Sequence, residues 1–195
     1  MTLPYSVNPM PHSLAVSCPG CGTEATFEFA ETAAIARIED RAFFQRSALF
    51  DYGEGRDSSG AFRAFAVFYH GLHSMAELER EKLPEGFSAD QWRRPATPLR
   101  PPGQTAGAVV CRSCGLRRKH KLNWPADAFF KIEYKGKELW AHDREAAHEL
   151  KDYVAGAARD RADSKRRAFL MKIPAHFLAK GAREEVTRQL EKALS

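Results

Sequence analysis

Cysteine spacing constrains this chain more than any other feature. Cys18 and Cys21 are separated by two residues, as are Cys111 and Cys114, and each pair is followed at once by a glycine, Gly22 or Gly115. Two cysteines so spaced on a tight turn aim both sulfurs at one ion, and the glycine lets the backbone approach the thiolates. Two such turns complete a shell of four thiolates. The chain must therefore fold so that turns separated by 89 residues meet. That separation is tolerable, because the entropy of closing a loop grows only logarithmically with its length, and a folded segment in between shortens the effective loop.

No other cysteine occurs in the 195 residues. The opening MTLPYSVNPMPHSL has no charged segment leading into an apolar stretch, and no run approaches the roughly 18 residues of a membrane span. A cytoplasmic protein with reduced thiols is expected, with no membrane partner, which favours metal ligation over disulfides. A closed thiolate shell suits zinc or iron, and a single reactive dithiol would be the redox alternative. Nothing else in the sequence points to electron transfer, and two matching glycine-flanked pairs point to coordination, so one structural Zn2+ is expected.

The two turns resemble the rubredoxin-like knuckles of the zinc-ribbon superfamily, written C-P-x-C-G or C-x-x-C-G, and the arrangement is similar to that of uncharacterised bacterial zinc-ribbon proteins. The resemblance covers residues 14–29 and 108–122. It implies that Cys18, Cys21, Cys111 and Cys114 are the four ligands and that the flanking strands form the ribbon. The departure is the spacing, since many ribbons separate their pairs by about 15 to 20 residues.

Beyond the knuckles, hydrophobic patterning predicts an α+β fold. An extended N-terminal arm (1–13) precedes one compact zinc-organised domain (14–195): ribbon 14–29 and 108–122, a large β-rich insertion 30–107, and a C-terminal α/β segment 123–195. Residues 23–29 alternate as a strand. Ala34, Ile35, Ile38 and Ala42 suit a short helix from residue 30 to about 40, with a continuing strand as the alternative. Segments 47–52 and 62–69 predict a hairpin around the Gly53–Gly60 loop. Ser74 with Glu77, and Ser88 with Gln91, match the capping-box spacing, predicting helices near 75–82 and 89–93. Six prolines or glycines between Arg93 and Gly107 mark a connector.

Segments 129–134 and 138–141 predict a second hairpin turning at Lys135-Gly136. Asp143 then caps a helix that places Ala146, Ala147, Leu150, Tyr153, Val154 and Ala157 on one side. After a basic interruption at 159–167, Pro174 restarts the pattern and Ala182, Val186, Leu190 and Ala193 mark a final amphipathic helix.

Charge is divided unevenly. Residues 1–110 hold 10 Lys/Arg against 13 Asp/Glu, whereas residues 111–195 hold 20 against 12. The basic half starts at the second knuckle, where Arg112, Arg117, Arg118, Lys119 and Lys121 follow one another with no acid. Such a run fits the phosphate backbone of DNA or RNA, with Trp124 available to stack on a base. Arg166 and Arg167, next to Lys165, form a second basic cluster that joins the first only if the fold brings them together. The plain alternative is a solvated basic strand with a core tryptophan.

Three other groups carry less chemistry. His70 and His73 have metal-ligand spacing without an evident third ligand, and His142 and His148 do not share a helix face. Asp51, Glu54 and Asp57 could hold a divalent cation for hydrolysis, yet turns commonly contain acids for local bonding. The leading expectation is a non-catalytic zinc protein that binds nucleic acid beside the second knuckle. A protein-interaction module is the alternative, and a metal-dependent hydrolase or nuclease is third.

Overall fold

A computed structural model describes residues 10–56, 59–97, 100, 104–156 and 166–195. It is a mixed α and β structure with three antiparallel sheets. Strands β1 (Ser13–Ser17), β2 (Glu24–Phe29), β6 (Ala106–Val110) and β7 (Arg117–Lys121) make the sheet that carries both cysteine turns, in the order β1-β2-β6-β7. Strand alternation sends Leu14, Val16, Ala25, Phe27, Phe29 and Val109 to one side, where they pack with Cys18, Cys111 and Leu122. Gly107 is obligatory here. A Cβ on it would lie 2.3 Å from both the Glu28 carbonyl oxygen and the Phe27 ring.

The stretch between β2 and β6 builds its own sheet, β3 (Glu31–Ile35), β5 (Phe62–Phe68) and β4 (Phe50–Arg56), in the order β3-β5-β4. Helices α1 (Ile38–Arg46) and α2 (Met75–Arg80), and a single 3₁₀ turn Ala89–Trp92, cover it. Phe44, Phe50, Phe68, Leu78 and Trp92 are buried together, and the Trp92 indole donates to the Ala66 carbonyl at 2.9 Å. Both expected capping boxes are present.

Two expectations are corrected in this region. Residues 31–35 form a strand, the alternative to the expected helix, because all five pair with β5; the helix begins at Ile38. The expected 53–60 loop is strand as far as Arg56, since Gly53 and Gly55 pair with Phe65 and Arg63. Pairing in a sheet outweighs the turn preference of an isolated glycine. Asp57 lies outside the described residues.

After β7, residues 127–129 run beside β1, with Ser17 N–H donating to the Asp127 carbonyl and Phe129 N–H to that of Ala15. The hairpin β8 (Lys131–Tyr134) and β9 (Lys137–Trp140) follows, turning through Lys135 (φ 52°) and Gly136 (φ 72°), the left-handed pair of a two-residue turn. Asp143 caps α3 (Arg144–Ala155) by accepting from Ala146 N–H at 2.7 Å, and Gly156 closes it at φ 85°. Ala157, expected on this helix, is outside the described residues. Short helices α4 (Arg167–Leu170) and α5 (Ala175–Leu178) lead to α6 (Lys180–Leu194). Its buried Ala182, Val186 and Leu190 pack with the buried face of α3 in the core shared with the hairpin.

Candidate metal centre

The two knuckles sit at the same end of their sheet because β2 pairs with β6, Thr26 opposite Val110. Each turn is closed by its own backbone: Cys18 N–H donates to the Thr23 carbonyl, and Cys111 N–H to the Leu116 carbonyl, both at 2.8 Å. The four cysteines are free thiols whose sulfurs all lie within 4.8 Å of one another. Cys18 Sγ is 3.6 Å from Cys114 Sγ, and Cys21 Sγ is 3.7 Å from Cys111 Sγ, so the closest contacts cross between knuckles. Four sulfurs placed tetrahedrally about 2.3 Å from an ion stand about 3.8 Å apart. The cluster therefore fits a four-thiolate metal ion, and Cys18, Cys21, Cys111 and Cys114 can hold one. Among the described residues it is the one such group of three or more candidate ligands.

Without a cation the thiols compete for ionisation. The Thr23 hydroxyl brings Cys111 down to about 6 and also lowers Cys21. At Cys114 the Leu116 N–H pulls downward, but neighbouring Cys21, burial and Cys111 outweigh it and push the thiol up to about 12. A bound cation reverses this competition by displacing the remaining protons.

The basic run behaves as strand geometry requires. Successive side chains of β7 point to opposite faces, so Arg117, Lys119 and Lys121 share one face while Arg118 takes the other with His120. On the first face, Arg117 donates to the carbonyls of Gly71 and Leu72 at 3.2 and 3.0 Å. Lys119 pairs with Asp51 at 2.5 Å and lies 5.3 Å from the Tyr69 ring centre. Lys119 thus meets β4, and Arg117 meets the turn that follows β5. Arg112, Arg118 and Lys121 are exposed and, among the described residues, have no acidic partner.

Trp124 is half-buried, stacked on His142 at 5.9 Å between ring centres and edge-on to Trp140 at 5.1 Å, as a core tryptophan would be. His142 is buried beside it, and that burial pushes its imidazole down to about 4. Arg166 is bound to the start of α3, 3.0 Å from Asp143, 3.2 Å from Glu145 and 3.0 Å from Glu149. Arg167 is exposed, and Lys165 lies outside the described residues. Arg166 of the second basic cluster is thus held by α3 and not by β7.

The remaining candidates do not converge. Asp51 and Glu54 are three residues apart in β4, so they face opposite sides; Asp51 engages Lys119, and Glu54 engages Tyr52 and Arg41. His70 and His73 line a 330 Å³ cavity with Ser74, Met75, Arg93 and Arg94, and burial and Arg94 lower the His70 imidazole. Two features escaped the sequence reading. Thr23 Oγ1 lies 3.1 Å from Cys21 Sγ and 3.5 Å from Cys111 Sγ. A buried pair, Arg100 with Glu31 at 2.5 Å, is joined by His12 and Gln104 where the chain leaves and re-enters the knuckle sheet. A threonine two places after a ligand was a visible signal; contacts across 69 residues gave none.

No described helix is long and apolar enough to cross a membrane. No protein-family model matches this chain, and neither a curated protein nor a solved structure matches it.

Proposed function

We propose that this chain is a zinc-ribbon-like, non-catalytic protein in which one structural Zn2+ fastens the knuckle sheet, and that the edge of this sheet beside the second knuckle binds nucleic acid through its phosphates. The observation that carries the reading is an exposed edge strand, β7, following the Cys111–Cys114 turn, with Arg112, Arg118 and Lys121 unpaired among the described residues. Zinc is preferred over iron because nothing else in the sequence points to electron transfer, and a closed shell of four thiolates leaves no position for a reacting ligand. One compact domain spanning 14–195 is part of the same reading.

Partner commitments within the fold shrink the expected footprint. Arg117 is engaged by the turn that follows β5, Lys119 by β4, Arg166 by α3, and Trp124 by His142 and Trp140. Arg118 and Lys121 lie on opposite faces of the β7 edge, so with Arg112 they give at most three phosphate contacts, and the logarithm of affinity should fall with the logarithm of salt at a slope no steeper than about −2 to −3. Fluorescence anisotropy with labelled single-stranded and duplex oligonucleotides of DNA and RNA measures this slope. The triple variant R112A/R118A/K121A should abolish binding at low salt, whereas Arg167→Ala should leave it in place. Absence of binding by the zinc-loaded wild type at about 50 mM salt would sink the nucleic-acid reading.

The adaptor alternative has less support. Phe44, Phe50, Phe68 and Trp92, the aromatics it would need on the surface, are buried. Ile38, Phe62 and Met171 are the large hydrophobic side chains exposed among the described residues, and they lie at three separate places in the chain: on α1, on β5 and just after α4.

A further inference from the structure

The two knuckles share the C-x-x-C-G frame and a backbone donor to the first sulfur, Gly20 N–H to Cys18 and Ser113 N–H to Cys111, and they differ in the side chain two places after the second cysteine. Thr23 follows Cys21 by two residues, and Leu116 follows Cys114 by two. Each knuckle has one buried sulfur, Cys18 or Cys111, and one exposed, Cys21 or Cys114. Their backbone donors also correspond, Thr23 N–H to Cys21 and Leu116 N–H to Cys114. The hydroxyl of Thr23 has no counterpart. It lies within reach of Cys21 on its own knuckle and Cys111 on the other, whereas the Leu116 side chain cannot donate.

When the sulfurs are metal-bound thiolates, the hydroxyl must be the donor. A bond donated to a ligating sulfur withdraws charge from it. That strengthens the hold of the site, as outer partners of metal ligands do, and makes the sulfur a poorer nucleophile. Of the two exposed thiolates, one receives this protection and one does not.

We propose that Thr23 is a positioning residue of the metal site that donates its one hydroxyl hydrogen to Cys21, the nearer sulfur, leaving Cys114 as the exposed ligand open to soft electrophiles and the first point of chemical modification. With an alkylating agent such as iodoacetamide, the Cys114 thiolate attacks the methylene carbon; the S–C bond forms, the C–I bond breaks, and iodide leaves with the bonding pair. No electron donor or acceptor is needed. The product thioether is neutral, so the metal loses one of its four anionic ligands and its hold weakens.

The inference rests on the zinc reading, so zinc content per chain is measured first. The full-length zinc-loaded protein is then treated with sub-stoichiometric iodoacetamide and the modified cysteines are mapped by peptide mass spectrometry. Cys114 should be alkylated first and Cys21 about tenfold more slowly. Thr23→Val, which keeps the shape and removes the hydroxyl, should bring the two rates together and weaken zinc retention against a competing chelator about 10- to 100-fold. Thr23→Ser should restore both properties. Alkylation of Cys21 first or at an equal rate in the wild type overturns the proposal, as does Thr23→Ser behaving like Thr23→Val. A protein that binds no zinc overturns the metal reading and this inference together, whereas zinc bound with Cys21 reacting first overturns this inference alone.

Discussion

The knuckle sheet and the β3-β5-β4 sheet differ in what fills them. The β3-β5-β4 sheet is packed by Phe44, Phe50, Phe68, Leu78 and Trp92, with rings in mutual contact and the indole N–H satisfied by Ala66. The knuckle sheet has two phenylalanines, a few aliphatic side chains, and Cys18 and Cys111 as part of its buried set. One core is built from large apolar side chains; the other counts two candidate metal ligands among its residues. A thin core supplies little stabilisation by burial alone, and a structural metal is a common remedy. The contrast implies that the sheets depend on the metal to different degrees.

The largest expected effect follows from removing the metal. Structural zinc contributes an apparent free energy on the order of 10 kcal/mol in small finger peptides, all of it available to folding. Chelation, or Cys111→Ser, should therefore strip hydrogen-exchange protection from the amides of β2, β6 and β7 while those of β4 and β5 keep theirs. Simultaneous loss in both sheets would show one cooperative unit and remove the contrast.

A smaller effect is expected from the opposite side. Trp92→Ala empties the centre of the β3-β5-β4 core and should cost about 3–5 kcal/mol there. Cobalt substituted into the variant should keep the tetrahedral thiolate spectrum of the wild type. If the variant cannot form that site, the β3-β5-β4 sheet is needed to bring the knuckles together, and independence runs in neither direction.

What was legible in the sequence was local. The knuckles, the two capping boxes, the Lys135-Gly136 turn and the Asp143 cap depend on residues within a few places of each other, so spacing alone revealed them. Gly53 and Gly55 misled because their strand conformation is imposed by Phe65 and Arg63 from across the hairpin. The basic run lies on a strand, as expected, and the period of two divides it, with Arg118 facing away from Arg117, Lys119 and Lys121. The partners that tie up Arg117 and Lys119 come from Leu72 and Asp51, 45 and 68 residues away, and no local pattern announces them. Thr23 was half-visible, since its closeness to Cys21 is local and its reach to Cys111 is not.

The smallest expected effect concerns the seam between the two sheets, which joins a charge contact to a close-packed one. Lys119 and Asp51 are 51% and 40% exposed, and an ion pair so open to water contributes about 0–1 kcal/mol. Gly71 lies flat on β6: a Cβ there would stand 3.0 Å from the Ala108 Cβ and 3.3 Å from Val110 Cγ2, so the sheets would have to part by a few tenths of an ångström. Lys119→Met keeps most of the aliphatic stem near Tyr69 and removes only the charge. It should change unfolding stability by less than about 1 kcal/mol, and the difference from wild type should shrink as salt screens the pair. Gly71→Ala should cost more, about 1–3 kcal/mol, at every salt concentration. Denaturant titrations of both variants at low and high salt separate the two terms. A larger loss for Lys119→Met would mean that charge fastens the β3-β5-β4 sheet to β7, and Lys119 would then be still less free to meet a phosphate.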